Sequence, residues 1–296
     1  MSSTRVITLE FEGISPRSLE QALEALSQEG AKVLAGGTDL INAIKTNTAR
    51  PARLVYILGI PELAFIDSKG GTLRIGAGMR LSRIEHDSRV LSKYPALAEA
   101  INVIGGTQVR NMATLAGNLC NASPGADTPP ILLALDAEVE ICATDSGGRI
   151  QSRRLPLGGF FSGPKQTVLK PGQLLRSITL PAPAKHSGAA FRRLARVSLD
   201  IAKINCAAYI EREGDRIHAA RVALGAVAAT PLRAPTVEAV LNGQRYSDTL
   251  VDEAAGRVAE DIAPIDDVRS TAEYRKQIAS LLVGETLQEA WGRSKA

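Results

Sequence analysis

Aromatic residues are scarce in this chain, and its charges are nearly balanced. Phe, Trp and Tyr make up 4% of the 296 residues, against 45% hydrophobic residues overall, so the core must be built from aliphatic side chains. The 35 Lys and Arg face 31 Asp and Glu, which gives a net charge of +4. Basic runs interleaved with aromatics, the usual mark of a nucleic-acid surface, are absent. A nucleic-acid partner is therefore not expected.

Potential metal ligands are also few. The 3 cysteines, Cys120, Cys142 and Cys206, lie far apart and form no Cys-x-x-Cys pair, which argues against zinc and iron–sulfur sites. The 3 histidines are equally scattered. We expect the cysteines to be small buried or half-buried residues in a reducing compartment. No metal site is predicted.

Long apolar runs are missing as well. No stretch reaches the length that is needed to cross a bilayer. The N-terminal MSSTRVITLEFEG has no apolar core of the kind found in secretory leaders. A cytoplasmic protein without a membrane span is the expectation.

Length and patterning predict more than one domain, because 296 residues exceed a single typical core. Strand and helix patterns alternate over residues 1–60, with an edge strand over 6–11 and a helix whose capping box is Ser18 and Gln21. A second unit begins near Pro61, and Ser82 is predicted to cap a short helix within it. The stretch 181–188 (PAPAKHSG) is a composition break.

Beyond that break, strand patterns precede helix patterns, which is typical of an α+β layer. The strands are predicted near 189–197, 201–212 and 216–228, and the helices near 235–242, 248–262 and 271–292.

A double glycine separates a short apolar run from a helical pattern near the N-terminus. Residues 32–35 predict a buried strand, Leu40–Lys45 predict the first turns of a helix, and Gly36-Gly37-Thr38-Asp39 lie between them. Adjacent glycines let main-chain N–H groups approach a ligand, and a helix N-terminus favours an anion. The loop therefore suits a phosphate or pyrophosphate. It could equally be an ordinary turn in which Thr38 or Asp39 caps the helix, and the dinucleotide pattern G-x-G-x-x-G is absent.

A second segment, TLAGNLCNASPGADTPP over residues 114–130, is poor in bulky side chains and rich in polar ones. It offers the amides of Asn118 and Asn121 and the carboxylate of Asp127, so it could wrap a large polar ligand. The alternative is a long irregular loop that satisfies its own backbone. Loops with this composition inside compact domains are more often functional than idle.

Three segments in one order resemble the FAD-binding subunit of the molybdenum hydroxylases. They are AGGTDL at 35–40, GGTQVRNMATLAGNLCNASPGADTPP at 105–130 and FRRLARVSLDIAKIN at 191–205. That family includes the medium subunits of carbon monoxide, xanthine, nicotine and quinoline dehydrogenases and of 4-hydroxybenzoyl-CoA reductase. The resemblance covers essentially the whole chain.

The resemblance implies an α+β fold with two domains. The first, over residues 1–177, would be a two-part FAD-binding domain of the PCMH or vanillyl alcohol oxidase type, with parts at about 1–60 and 61–177. The second, over residues 178–296, would be a small domain with a three-stranded antiparallel sheet and three helices.

The same resemblance implies which residues would hold a non-covalent FAD. The pyrophosphate would be wrapped by the loop Val33, Leu34, Ala35, Gly36, Gly37, Thr38, Asp39 and Leu40. The cradle would continue through Thr114, Ala116, Gly117, Asn118 and Asp127, with Ile104 and Leu169 against the flavin ring and the cation of Arg192 near it. The family often has Gly-Gly-Asn where this chain has Ala116-Gly117-Asn118. From the residues alone, Ile104 and Leu169 could equally belong to the core, and Arg192 could be solvated.

Partners are implied as well. A large subunit would carry the molybdenum cofactor, and a small subunit would carry 2Fe–2S clusters that pass electrons to the FAD and on to an external acceptor. The assembly would be a heterotrimer or a dimer of heterotrimers, and no catalytic residue is predicted in this chain.

Two alternatives stay open: a self-contained flavin-dependent oxidase of a small molecule, and a nucleotide-binding protein without a reducible flavin.

Overall fold

A small parallel sheet forms the N-terminal part of the protein. The computed structural model describes residues 7–295, and its first elements are β1 (Glu12–Ile14), α1 (Leu19–Leu26), β2 (Ala31–Leu34), α2 (Leu40–Lys45) and β3 (Arg53–Tyr56). The strands pair in parallel in the order β1-β3-β2. The edge strand predicted over 6–11 is wrong for residues 7–11, which form no strand, and Val6 lies outside the described residues.

Helix α1 begins where the capping box predicts. The Ser18 hydroxyl accepts from the N–H of Gln21 at 3.3 Å, and Gln21 Oε1 accepts from the N–H of Arg17 at 2.8 Å. The side-chain amide therefore reaches one residue further back than in the usual box. The apolar face of the helix, which includes Leu19 and Leu23, is buried.

The second part of the N-terminal domain is built on an antiparallel sheet. Its elements are β4 (Ile66–Lys69), β5 (Thr72–Gly76), α3 (Leu81–Glu85), α4 (Ser88–Lys93), α5 (Pro95–Asn102), α6 (Thr107–Arg110), α7 (Leu115–Cys120), α8 (Thr128–Ala134), β6 (Glu138–Thr144), β7 (Ile150–Pro156), β8 (Phe161–Gly163), β9 (Gln166–Thr167) and β10 (Leu174–Leu180). The sheet order is β4-β5-β10-β6-β7, and β8 pairs with β9 in a separate hairpin. Helix α3 begins at Leu81, so Ser82 lies inside it and the prediction that Ser82 caps it is wrong.

The C-terminal part carries an antiparallel sheet and three helices. Its elements are β11 (Ser187–Leu194), β12 (Ile204–Glu213), β13 (Arg216–Gly225), β14 (Leu232–Arg233), α9 (Pro235–Leu241), α10 (Asp248–Gly256) and α11 (Ala272–Arg293). The sheet order is β11-β12-β13-β14, so four strands replace the predicted three. The additional strand β14 has 2 residues, which is too short to leave a pattern in the sequence.

Both faces of this C-terminal sheet are buried. Phe191 and Tyr209 pack into the core of the N-terminal part, whereas Ala190 and Ile210 pack with α9, α10 and α11 in a second core. The predicted domain boundary at residues 177 and 178 falls within β10, and the segment 181–186 between β10 and β11 carries no helix or strand. Within residues 7–295, no helix is long and apolar enough to span a membrane.

A buried arginine anchors the loop that leads into α11. Arg275 is 3% exposed, donates to the carbonyl of Ile265 at 2.7 Å and pairs with Asp267 Oδ1 at 2.7 Å. The same carboxylate oxygen accepts from the main-chain N–H groups of Arg269 and Ser270. Desolvation raises the pKa of Asp267, but these donors outweigh it and lower the pKa to about 2.

We expect Asp267→Asn to lower the free energy of unfolding at pH 7 by about 1–3 kcal/mol, because buried Arg275 loses its charged partner. The ordinary pKa of this carboxyl is 3.8, so the ion pair stabilises the fold fully above that pH. Its contribution is lost as the pH falls towards the folded-state pKa of about 2. Urea unfolding of both proteins at pH 7 and pH 3 measures the difference.

Asp266→Asn is the matched control for this prediction. Asp266 Oδ1 accepts from the N–H of Ala272 at 2.6 Å, and an asparagine can still accept there. The control removes the same charge and should change the stability less. A difference between wild type and Asp267→Asn that is equally large at pH 7 and pH 3 would contradict the assignment.

Candidate functional site

A large cleft lies where the two parts of the N-terminal domain meet the C-terminal sheet. Its volume is about 1000 Å³, at the upper end of the range for small-molecule sites. The walls come from the loop between β2 and α2, residues 113–127 around α7, the β8–β9 hairpin, residues 169–175, and residues 193 and 199–201 of the C-terminal part. Both domains therefore contribute to one site.

The loop between β2 and α2 presents a run of free main-chain donors to this cleft. In the part of the chain that the structure describes, none of the N–H groups of residues 36–40 donates to a protein acceptor. Gly37 has φ +72°, in the left-handed region that favours glycine. Gly36 is needed for a different reason, since a Cβ there would lie 2.0 Å from the carbonyl oxygen of Met112. The loop is thus pressed against another main chain while its own donors stay unused.

Asp39 does not cap α2, because its side chain forms no cap hydrogen bond. Asp39 Oδ1 instead accepts from Asn121 Nδ2 at 2.9 Å. Asn121 Oδ1 in turn accepts from Lys165 Nζ at 3.0 Å. A chain of side chains therefore connects the glycine loop to the end of α7 and to the β8–β9 hairpin.

Residues 114–130 contain helix α7 and the beginning of α8 rather than one irregular loop. Thr114 Oγ1 caps α7 by accepting from the N–H of Gly117 at 3.0 Å. Asn118 Oδ1 accepts from the hydroxyl of Thr128 at 2.6 Å, which ties α7 to α8. Leu115 and Ala116 are buried. The small residues of this segment let two helices and a turn pack closely beside the cleft.

Asp127 is held by the C-terminal sheet. Arg193 Nη1 donates to Asp127 Oδ2 and Asn205 Nδ2 donates to Asp127 Oδ1, both at 2.9 Å. The carboxylate is 6% exposed. Burial raises the pKa of Asp127, while the hydrogen bonds from Asn205 and Arg193 oppose that rise. Both carboxylate oxygens are therefore already engaged by the protein.

Arg193 also fixes the main chain on two sides of the cleft. Its guanidinium donates to the carbonyl of Val103 at 2.9 Å and to those of Ser198 and Asp200 at 2.8 Å. Val103 directly precedes Ile104, and Asp200 lines the cleft. One buried side chain thus positions both segments.

Arg192 does not reach the cleft, which corrects its predicted place. It pairs with Glu285 at 3.2 Å and Glu289 at 3.1 Å on α11. Neighbouring side chains on a strand point to opposite faces, so the next residue, Arg193, lines the cleft instead. The strand alternation agrees with this placement, because Phe191 shares a face with Arg193 and packs into the N-terminal core.

Most of the other predicted residues gather at the cleft. Of the residues predicted to hold FAD, only Leu34 and Arg192 do not line the cleft. The lining residues are Val33, Ala35, Gly36, Gly37, Thr38, Asp39, Leu40, Ile104, Thr114, Ala116, Gly117, Asn118, Asp127 and Leu169. Leu34 packs beneath the loop, where a Cβ on Gly37 would lie 3.3 Å from its Cδ1.

Several lining residues were missed, and one cysteine was misplaced. Asn121, Lys165, Arg193 and Ile201 line the cleft. Asn121 was named for its amide and Arg193 and Ile201 lie in the third quoted segment, but none of the three was given a place in the FAD site, and nothing in the local sequence marks Lys165. Cys120 lines the cleft and is exposed there, whereas Cys142 and Cys206 are buried. The expectation of a buried or half-buried thiol is therefore wrong for Cys120.

Comparison with known proteins covers both domains. Residues 9–183 match the family described as the FAD binding domain in molybdopterin dehydrogenase, and residues 189–290 match the CO dehydrogenase flavoprotein C-terminal domain. The carbon monoxide dehydrogenase medium chain of Hydrogenophaga pseudoflava is 34% identical over 285 residues, which are 96% of this chain and 98% of that protein. The xanthine dehydrogenase FAD-binding subunit of Escherichia coli O157:H7 is 31% identical over 88% of each chain.

The fold agrees with these sequence matches. The structure of carbon monoxide dehydrogenase from Hydrogenophaga pseudoflava that lacks the Mo-pyranopterin moiety superimposes with a TM-score of 0.92 and 33% identity, over 97% of this chain and 99% of that chain. The resemblance drawn from the three sequence segments is therefore confirmed. This chain belongs to the FAD-binding flavoprotein subunits of the molybdenum hydroxylase family and is an oxidoreductase subunit.

Proposed function

We propose that this chain binds FAD in the cleft and relays electrons within a molybdenum-containing hydroxylase or dehydrogenase. The observation that carries the proposal is the run of free N–H groups at residues 36–40, set in a cleft of about 1000 Å³ that both domains line. Consecutive main-chain donors with no protein acceptor suit an anionic diphosphate. A helix N-terminus leaves its first N–H groups free in any case, and here the free donors extend back to Gly36 and Gly37 ahead of α2.

The remaining walls of the cleft suit the other parts of FAD. Asn118 offers a side-chain amide to the hydroxyls of the ribityl chain or ribose, and Ile104 and Leu169 offer apolar surface to the flavin ring. When bound, FAD supplies the electron-transfer chemistry. The protein contributes binding, orientation and shielding from water.

Asp127 and Arg193 act in this proposal as positioning residues. Asp127 was predicted to accept from FAD hydroxyls, but its oxygens already accept from Arg193 and Asn205. Arg193 replaces Arg192 as the arginine that lines the cleft. Since Asp127 balances the charge of Arg193, we assign Arg193 the task of holding Val103 and Asp200 in place rather than that of a free cation.

We further propose that the electrons come from partners. Relatives with this domain pair are named as the medium chain of carbon monoxide dehydrogenase and the FAD-binding subunit of xanthine dehydrogenase. A large molybdenum-cofactor subunit and a small 2Fe–2S subunit would complete a heterotrimer, or a dimer of heterotrimers, in the cytoplasm. The two domains predicted from the sequence are 1–177 and 178–296. Because β10 continues to Leu180, we propose that the junction lies in the segment 181–186 instead.

Gly37→Val should abolish FAD retention. The φ of +72° at Gly37 is strained for a β-branched residue, and a new side chain would meet Ile41 Cγ1 at 3.0 Å, so the donors of the loop must shift. Gly36 is a poorer test, because its substitution clashes with Met112 and disrupts packing. Flavin absorbance per folded chain after purification measures the loss.

Gly148→Val is the matched control for the loop. Gly148 has φ +77°, a Cβ at this position would have no other atom within 4 Å, and the residue does not line the cleft. The substitution imposes the same backbone strain elsewhere, so this variant should keep its FAD. Full FAD content in a folded Gly37→Val protein would refute the diphosphate assignment.

The isolated chain should be an incomplete enzyme. Loaded with FAD, it should not oxidise heterocycles, aldehydes or carbon monoxide, although weak diaphorase activity is expected. Co-expressed with the proteins encoded beside it, it should elute as one assembly that contains molybdenum, iron and flavin. Substrate turnover by the single chain would instead favour the self-contained oxidase, and a chain that binds no flavin would favour the nucleotide-binding alternative.

A further inference from the structure

Three polar side chains form a continuous chain along the wall of the cleft beside the glycine loop. The Asp39 carboxylate accepts from Asn121 Nδ2 at 2.9 Å, and Asn121 Oδ1 accepts from Lys165 Nζ at 3.0 Å. All three residues line the cleft. Asp39 and Lys165 are exposed and Asn121 is half-buried, so a ligand in the cleft can meet each of them.

The backbone holds Lys165 at this position. Its N–H donates to the carbonyl of Ala122 at 2.9 Å, directly after Asn121. Lys165 has φ +61° and Ala122 has φ +45°, both in the left-handed region that non-glycine residues rarely adopt. Such conformations persist where the surrounding structure enforces them, and they cluster at functional sites. The hairpin tip is therefore built to present Lys165 to the loop after α7.

The electrostatics of the glycine loop require a compensating cation. Asp39 belongs to the loop whose free N–H groups suit a diphosphate, and its carboxylate would repel that anion. The Asp39 carboxylate is not engaged in capping α2, because the side chain forms no cap hydrogen bond. The amide of Asn121 instead connects it to the ammonium group of Lys165.

Arg193, another cation that lines the cleft, does not perform this task. It is paired with Asp127, on the side of the cleft formed by the C-terminal sheet. Lys165 is the lining cation, within the described chain, whose hydrogen bonds lead to the glycine loop.

We propose that Lys165 determines specificity for the diphosphate part of the ligand, by offsetting the negative charge of Asp39 through Asn121. The proposal rests on the proposed FAD site and adds a residue to it. Lys165 acts on the diphosphate and not on the flavin ring. Its substitution should therefore weaken ADP and FAD alike and leave riboflavin unaffected.

The test is a set of binding titrations on the purified full-length apoprotein. Lys165→Gln keeps a donor for Asn121 but removes the charge, and we expect it to weaken FAD and ADP about five- to tenfold at low salt. The loss should shrink at high ionic strength, because these groups are exposed. Asp39→Asn in the Lys165→Gln background should restore most of the affinity, and Lys165→Arg should retain it.

Lys45→Gln is the matched control. Lys45 is exposed in the last turn of α2 and does not line the cleft, so its loss removes one positive charge near the same loop without touching the chain of side chains. Its effect on the Kd of FAD and ADP should be small. Circular dichroism of each variant checks that the fold is intact.

The outcomes separate this inference from the proposed function. A wild-type apoprotein that binds neither FAD nor ADP would refute the FAD site itself. Normal wild-type binding with unchanged affinities in Lys165→Gln would refute only the role of Lys165. If Lys165→Gln weakens the binding of FAD and ADP and the added Asp39→Asn does not restore it, then Lys165 does not act by offsetting the charge of Asp39.

Discussion

The ion pair between Arg193 and Asp127 is the interaction on which the site depends. It joins β11 of the C-terminal sheet to the segment after α7, and the same guanidinium holds the carbonyls of Val103, Ser198 and Asp200. Both partners are 8% exposed at the side chain, so removal of either one would leave a buried charge at a cost of about 3–5 kcal/mol. The C-terminal domain therefore does more than pack against the N-terminal domain, because it fixes two walls of the cleft.

A second constraint lies in the main chain of the glycine loop. Gly36 lies so close to the backbone of Met112 that no side chain fits, and Gly37 turns the chain through a left-handed conformation. The following helix has no side-chain cap at Asp39. These features leave the donors of residues 36–40 without a protein acceptor. The unpaired state is the property that a diphosphate site requires.

Local patterns in the sequence predicted the local parts of the structure. The capping box of Ser18 and Gln21 correctly predicted α1, and the strand patterns near 201–212 and 216–228 predicted β12 and β13. The short strands were not predicted, because β1 has only 3 residues and β14 only 2. Their existence depends on pairing with distant segments, which no window of sequence reports.

For the candidate site too, the sequence indicated the contiguous segments but not the contacts between distant residues. The resemblance led to the cleft because the motifs are contiguous, but it selected Arg192 where the fold presents Arg193 to the cleft. The contact between Asn121 and Asp39 joins residues 82 positions apart, and that between Lys165 and Asn121 joins residues 44 positions apart. Asp39 and Asn121 lie in separate quoted segments and Lys165 lies in neither, so only the folded chain shows that the three residues meet.

A crystal structure of the purified chain with FAD bound would show where the diphosphate lies. We expect its oxygens to accept from the N–H groups of residues 36–40 and the flavin ring to lie against Ile104 and Leu169. FAD found outside the cleft, or inside it with the diphosphate remote from the glycine loop, would refute the proposed site.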